Sequence, residues 1–266
     1  MRGRSGGGDT APMQTFTSYD GTSIAYRVWE AAGDAPTVVL HHGFASSATG
    51  NWVVTGVVDA LTAAGRRVVA VDARGHGDSQ KHHDPAYYGE NAMARDLAAL
   101  FDLLGLDRVD LVGYSMGGVV ALVTAAADPR VRRLVVGGIG ASAAEQGGVD
   151  RDALPGAALI EALLTDDPGT VTDERALGFR MFAEATGADR RSLAAQARAS
   201  RHTPIGMDRI GVPALVLAGA DDWLATRPHV LSSALPDGRC KVLAGDHLTV
   251  VRNPEFAAAI VSFLAG

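Results

Sequence analysis

The stretch Val109-Asp-Leu-Val-Gly-Tyr-Ser-Met-Gly-Gly-Val-Val-Ala-Leu122 decides how the rest of the chain is read. Its opening apolar run, 109–112, predicts a strand bounded by Gly113. From Met116 an Ala- and Val-rich run without charges continues to Ala127, long enough for a helix. Between the two lies Gly113-Tyr-Ser-Met-Gly117, which fits the pattern G-x-S-x-G. A serine on a tight strand-to-helix turn needs neighbours without a Cβ, because the turn brings backbone too close for side chains. Such a turn lifts the Ser115 hydroxyl above the sheet and aims the Met116 backbone N–H at the same point. The bland alternative is a glycine-rich turn with an incidental serine. A strand before it and a helix after it argue against that.

Upstream, residues 14–19 and 23–29 read as two strands of an antiparallel hairpin, joined through Asp20-Gly-Thr22. Residues 37–40 form a short buried strand running into His41-His-Gly-Phe44, and 67–71 the next. Helices are predicted near 52–64 and over 90–104, where Met93, Leu97, Leu100, Phe101 and Leu104 share one face. Downstream, 132–136, 212–218 and 241–243 read as strands, and a closing helix starts at Asn253 with Pro254 in its first position. Strands alternating with helices predict an α/β fold, a mostly parallel sheet covered on both faces. Chemistry in such sheets sits at the carboxyl ends of the strands.

Composition changes after Gly140. Residues 141–205 lack a β-branched run and carry helical stretches around 153–164, 174–184 and 190–199. This span is expected to be a helical lid inserted into a core made of 14–140 and 206–266. Residues 1–13 read as a disordered leader.

The 266-residue chain is 47% hydrophobic and 20% charged, a balance that suits one large globular α/β unit. Its formal net charge of −6 and the absence of a Lys/Arg block argue against nucleic acid as a partner. No run approaches the ~18 consecutive apolar residues of a membrane span. No apolar segment near the N-terminus marks a secretory signal. The single cysteine, Cys240, excludes an internal disulfide, so a reducing, cytoplasmic compartment is expected.

A serine hydroxyl is a poor nucleophile at neutral pH and needs a base, which in turn needs an orienting carboxylate. After Ser115, two predicted strand ends supply them: Gly219-Ala-Asp-Asp-Trp223 and Ala244-Gly-Asp-His247. The order Ser, Asp, His is the one expected after such a turn. An isolated histidine is more often a surface or core residue. Three groups in this order, each at a strand end, make His247 the candidate base. The developing oxyanion needs two preorganised donors: Met116 N–H and, from the loop after the third strand, Phe44 N–H.

The small-molecule substrate is expected to touch Phe44 and, from the lid, Leu159 and Phe182. Trp223 and Leu248 adjoin the acid and the base; they are candidates for lining the acyl pocket, with ordinary core packing an equal alternative. His82-His-Asp84 lacks H-E-x-x-H and any cysteine partner, and reads as a solvated loop with no metal. The segment 113–118 does not meet G-x-G-x-x-G, so no dinucleotide cofactor is expected. Asp72-Ala-Arg-Gly-His-Gly-Asp-Ser79 is assigned to hydrogen bonding within its own turn.

From Phe16 to the C-terminus the chain resembles the α/β-hydrolase superfamily. The resemblance rests on His42-Gly-Phe44, on the Asp72–Ser79 motif, on Gly-Tyr-Ser-Met-Gly-Gly at 113–118, on Gly219-x-x-Asp222 and on His247. It implies an eight-stranded, mostly parallel sheet with a variable lid after the sixth strand, which largely sets the substrate. The family spacing, a glycine followed three residues later by the acid, selects Asp222 over Asp221. Members with Asp at the elbow include dehalogenases and epoxide hydrolases, and Ser115 argues against both. Asp246 departs from the pattern, since a small residue more often precedes the histidine; it places an extra negative charge beside His247.

What the resemblance implies is a cofactor-independent serine hydrolase of a small, largely apolar carboxylic ester. Ser115 would attack, His247 shuttle the proton and Asp222 orient it. Lactone, thioester and carbon–carbon bond hydrolysis use the same machinery, as does a perhydrolase or cofactor-free haloperoxidase. Outside enzymes, a ligand sensor retaining the fold is the alternative, and an intact set of three residues argues against it.

Overall fold

The structure, a computed structural model, describes residues 11–200 and 203–266. Most of the span read as a leader therefore lies outside the described residues, and the first strand begins at its last residue, Met13. In chain order the strands are β1 (Met13–Thr17), β2 (Ser23–Trp29), β3 (Thr37–His41), β4 (Val68–Val71), β5 (Val109–Tyr114), β6 (Val131–Gly137), β7 (Ala214–Gly219) and β8 (Gly238–Leu243). They form one eight-stranded sheet in the order β1-β2-β4-β3-β5-β6-β7-β8. The β1–β2 and β2–β4 pairs are antiparallel and all others parallel. This is the α/β-hydrolase arrangement.

The helices are α1 (Val57–Ala63), α2 (Glu90–Leu103), α3 (Met116–Ala127), α4 (Ala141–Glu145), α5 (Gly156–Leu164), α6 (Glu174–Thr186), α7 (Arg190–Ala199), α8 (Pro228–Ala234) and α9 (Pro254–Ala265). Among the described residues none is long and apolar enough to cross a membrane. The single helix expected near 52–64 is in fact two pieces. A short π-helical turn, Thr49–Val53, is separated from α1 by Gly56 at φ +80°. β8 begins three residues before Lys241, where the sequence reading started it. It forms the sheet edge, so its alternating Arg239 and Lys241 stay in solvent and hide the strand pattern.

Side chains of the parallel strands alternate between two apolar layers. Leu111, Leu134, Val136 and Val216 pack on the face covered by α2 and α3. Val112, Val135, Leu215 and Leu217 pack on the opposite face with α1 and α9. Each such side chain, fully buried, stabilises the fold by roughly 1.5–3 kcal/mol. Helices α5, α6 and α7 form a separate small cluster, in which Leu159, Leu163, Ala183 and Leu193 meet Ala45 and Phe44.

The amino end of the sheet holds a buried charge network. The Asp110 carboxylate, with no exposed side-chain surface, accepts from Arg66 and, at 2.9 and 2.7 Å, from Arg132. Arg66 also donates to the carbonyls of Pro36 and Leu264, tying the start of β3 to the end of α9. Removing one partner of such a network leaves charge buried without compensation. Asp110→Asn is expected to lower unfolding free energy by roughly 3–5 kcal/mol in urea titrations, and a loss below about 1 kcal/mol would contradict that role.

Candidate active site

Ser115 joins β5 to α3 with φ 53° and ψ −117°, a conformation that costs a residue with a Cβ about 1–3 kcal/mol. Its neighbours make the turn sterically feasible. A Cβ on Gly113 would stand 2.0 Å from the Gly117 carbonyl oxygen, and one on Gly117 would stand 2.1 Å from that of His41. The Ser115 N–H donates to the Gly137 carbonyl at 2.7 Å, anchoring the turn to the end of β6.

The loops after β7 and β8 converge on this serine. His247 Nε2 lies 3.0 Å from Ser115 Oγ, and its Nδ1 lies 2.9 and 3.0 Å from the two Asp222 oxygens. A carboxylate only accepts, so the imidazole proton sits on Nδ1 and the Nε2 lone pair faces the serine hydroxyl. Asp222 also accepts from the backbone N–H groups of Leu224 and Ala225, which fixes its plane. Asp221 lies on the exposed side of the same loop, its N–H donating to the Gly245 carbonyl. Asp246, the departure from the family pattern, is occupied in its own turn. It accepts from the N–H groups of Leu248 and Thr249 and from the Thr249 hydroxyl, and these bonds hold its pKa below the usual range.

Tyr114 reaches across the sheet and donates its phenol to the His247 carbonyl at 2.6 Å. Burial, reinforced by the charges of Asp222 and Asp246, pushes its pKa well above that of a free phenol, so it remains a donor. The loop after β3 is pinned in three ways. The Gly43 N–H donates to Asn51 Oδ1 at 3.0 Å. His42 Nε2 accepts from the Ala73 N–H, so its proton is on Nδ1, 2.8 Å from the Gly43 carbonyl. Asp72 accepts from the N–H groups of both Ala48 and Asp78. The 72–79 motif thus bonds beyond its own turn and supports the neighbouring loop. Arg74 within it is fully buried between Asp96 and Asp20. Phe44 N–H and Met116 N–H have no acceptor among the described residues.

Two cavities meet at Ser115, Phe44 and Phe179. One, of about 500 Å³, is walled by Met116, Leu154, Leu159, Ile160, Gln196 and Leu224. The other, of about 350 Å³, is walled by Asn51, Val54, Phe182, His247, Leu248 and Val251. Leu159 therefore lines the first, Phe182 and Leu248 the second, and Phe44 both. Trp223 lines neither. It stands behind Phe179, edge to face at 6.4 Å, with the Arg175 guanidinium over its ring. His83 is engaged by Asp189 at 3.2 Å and His82 stacks on Tyr87.

The sequence holds little signal for several of these residues. Tyr114 sits in the variable position of the elbow, and Phe179 in an ordinary helical run. Asn51 and Gln196 each leave one buried side-chain atom unpaired among the described residues, Nδ2 and Oε1 respectively. Only the assembled fold reveals that.

Residues 36–180 match the family model described as the alpha/beta hydrolase fold. Over 115 residues the chain is 40% identical to the sn-1-specific diacylglycerol lipase ABHD11 of Mus musculus, a match covering 42% of this chain and 36% of that one. Over 120 residues it is 41% identical to the 2-hydroxy-6-oxo-2,4-heptadienoate hydrolase of Pseudomonas putida, covering 44% and 43%. These matches span about two fifths of the length of the curated relatives. Among solved structures, a hydrolase from Pseudomonas aeruginosa superposes with a TM-score of 0.78 at 27% identity, over 96% of this chain and 98% of that one.

Three histidines beside the site carry a pH signature. His41, His42 and His76 are buried, and burial lowers their pKa values to about 3, 4 and 3. In the unfolded chain each titrates near 6.5. Between pH 6.5 and about 4 the unfolded state therefore takes up protons that the native state refuses. Stability is expected to be flat with respect to these groups above pH 6.5. Below it, stability should fall by up to about 4 kcal/mol per pH unit when all three contribute. Urea unfolding between pH 7.5 and 4.5 measures this, and a level profile would contradict it.

Proposed function

The chain belongs to the alpha/beta hydrolase fold family, and from that premise we propose that it is a serine hydrolase of small, largely apolar carboxylic esters. The observation that carries the reading is the unbroken hydrogen-bonded line from Asp222 through His247 to Ser115 Oγ, at the mouth of two cavities. A diacylglycerol lipase among the relatives supports ester chemistry.

Ser115 Oγ attacks the ester carbonyl carbon while His247 Nε2 takes its proton, with Asp222 holding the imidazole and stabilising its charge. The carbonyl electron pair moves onto oxygen, where Phe44 N–H and Met116 N–H, both without another acceptor among the described residues, receive it. As the pair returns, the bond to the alkoxy oxygen breaks and the His247 proton goes to that oxygen, releasing an alcohol. Water then attacks the acyl-enzyme with His247 as base. Its hydroxyl stays on the acyl carbon, its proton returns to Ser115, and a carboxylic acid leaves.

This route assigns the two cavities. The leaving oxygen must meet His247, so the alcohol lies in the cavity of about 350 Å³ and the acyl chain in that of about 500 Å³. Helices α5 to α7 act as the lid that bounds the acyl side through Leu159 and Phe179. The relative from Pseudomonas putida favours a second reading, hydrolysis of a hydroxy-oxo-dienoate on the same residues.

A fluorophosphonate probe tests the first reading directly. Intact-mass analysis should show one adduct in the wild type and none in Ser115→Ala; labelling that persists in the variant would remove Ser115 from the mechanism. An aryl-ester panel, with a lactone, a thioester and a hydroxy-oxo-dienoate alongside, measures which bond is cut.

The acid is tested by a pair of neighbours. Asp222→Asn should favour the wrong imidazole tautomer and lower kcat by up to about 10⁴-fold. Asp221→Asn should cost less than about tenfold, since it changes only a solvent-screened charge. The reverse order, in variants with native circular dichroism, would exchange their roles.

A further inference from the structure

Among the described residues, three line both cavities: Ser115, Phe44 and Phe179. An ester that reaches from one cavity into the other must pass beside all three. Ser115 is the proposed nucleophile, and Phe44 carries one of the proposed oxyanion donors on its backbone. Phe179 has neither task. It comes from α6, within the lid, and brings to the junction only a hydrocarbon ring.

That ring meets each loop that surrounds the serine. Its centroid lies 6.1 Å from that of Phe44, edge to face, in the loop after β3. It lies 6.5 Å from the His247 imidazole and 6.4 Å, edge to face, from Trp223 beside Asp222. At such separations aromatic pairs attract one another. Trp223 is braced in turn. The Arg175 guanidinium stands 4.5 Å over its ring and also donates to the Ala153 carbonyl at 2.8 Å. Arg175 precedes Phe179 by one turn of α6, so the helix that supplies the phenyl ring also holds the indole behind it. A side chain contacted on three sides forms a wall and not a swinging gate. Pushing an extra methyl group against such a wall is costly.

Chemistry decides which substrate atoms meet it. The carbonyl carbon must reach Ser115 Oγ, with the acyl chain in the cavity of about 500 Å³ and the alcohol in that of about 350 Å³. The first carbon on the acyl side of the carbonyl is then at the junction, where Phe179 stands. Carbons farther along lie deeper, among residues such as Leu154 and Ile160 that line the larger cavity alone.

From this geometry we propose that Phe179 is a specificity-determining residue, a partition that admits acyl groups unbranched at the carbon next to the carbonyl. The substrates are thus esters of straight-chain acids, or of acids branched only farther out. The proposal rests on the serine-hydrolase reading and deepens it. A carbon that carries two hydrogens passes the ring; one that carries two methyl groups meets it.

The test uses aryl esters of three isomeric acids, hexanoate, 4-methylpentanoate and 2,2-dimethylbutanoate, on one leaving group. The isomers share a composition and differ in where the branch sits. The readout is kcat/KM for each branched ester relative to hexanoate, in wild type, Phe179→Ala and Phe179→Leu, with circular dichroism to check folding. Intrinsic reactivity cancels when each ratio is divided by its wild-type value. Phe179→Ala should raise the 2,2-dimethyl ratio by about 10- to 100-fold and Phe179→Leu by less, while neither moves the 4-methyl ratio more than about twofold. A 2,2-dimethyl ratio that Phe179→Ala leaves unchanged overturns the proposal. So does an equal gain for the 4-methyl ester, which would make the ring a general wall of the acyl cavity. Should neither variant fold, wild type decides. After correction for alkaline hydrolysis rates, the 2,2-dimethyl ester must fall at least about tenfold below hexanoate, and a smaller difference overturns the proposal. Fluorophosphonate labelling keeps the two levels apart. Labelled Ser115 with an unchanged ratio removes only the role of Phe179; unlabelled Ser115 with no turnover removes the hydrolase reading and this proposal together.

Discussion

The backbone of Gly117 packs against the end of β3 so closely that a methyl group there would overlap the His41 carbonyl oxygen. Much of the site depends on that contact. It seats the first turn of α3 on the sheet, which forces Ser115 into a positive-φ conformation and leaves the Met116 N–H without an acceptor among the described residues. The same approach places the loop after β3, with Phe44, beside the serine. The Ser115 turn stores about 1–3 kcal/mol of backbone strain. The apolar packing of α3, whose residues from Met116 to Leu122 are buried, offsets it.

Polar groups around the turn are held by one another and not by solvent. His42 clamps Gly43 to Ala73, Asp72 clamps the segment at Ala48, and Asn51 takes the Gly43 N–H. Those bonds leave the Phe44 amide without an acceptor among the described residues. On the other side, Tyr114 fixes the backbone of His247 while Asp222 fixes its ring. The groups placed around Ser115 are thus each oriented by a hydrogen-bonded neighbour, an arrangement in which donors need no reorganisation as charge develops. Keeping three histidines neutral inside this assembly ties its stability to pH.

The two cavities differ in size, and each combines a largely apolar wall with a few polar side chains. On the side of His247, Asn51 has its oxygen engaged and its nitrogen unpaired; on the side of Met116, Gln196 has its nitrogen engaged and its oxygen unpaired. Both unpaired atoms are buried and without a partner among the described residues. The hydrocarbon wall supplies affinity, and a few placed polar atoms decide which end goes where.

By itself the sequence determined the parts governed by neighbours along the chain. The elbow is legible because the clash that requires glycine at 113 is with Gly117, within the turn itself, and α2 because its apolar face repeats every turn; the requirement at 117 comes from β3, far along the chain. That the sheet is mostly parallel follows from the alternation of strands with helices; the order of its strands does not. Where local rules weaken, legibility fails: edge strand β8 has no buried face to impose a pattern along its full length, and Gly56 breaks a helix that periodicity would continue. Trp223 looks like a pocket residue from its place after the acid, yet Phe179, from a distant helix, occupies the wall in front of it. Tertiary structure alone decided which polar atoms find partners. Tyr114 meets His247 across 133 residues and Gln196 meets Met116 across 80. Whether an amide is satisfied or left open depends on what folding brings opposite it, and no spacing along the chain encodes that.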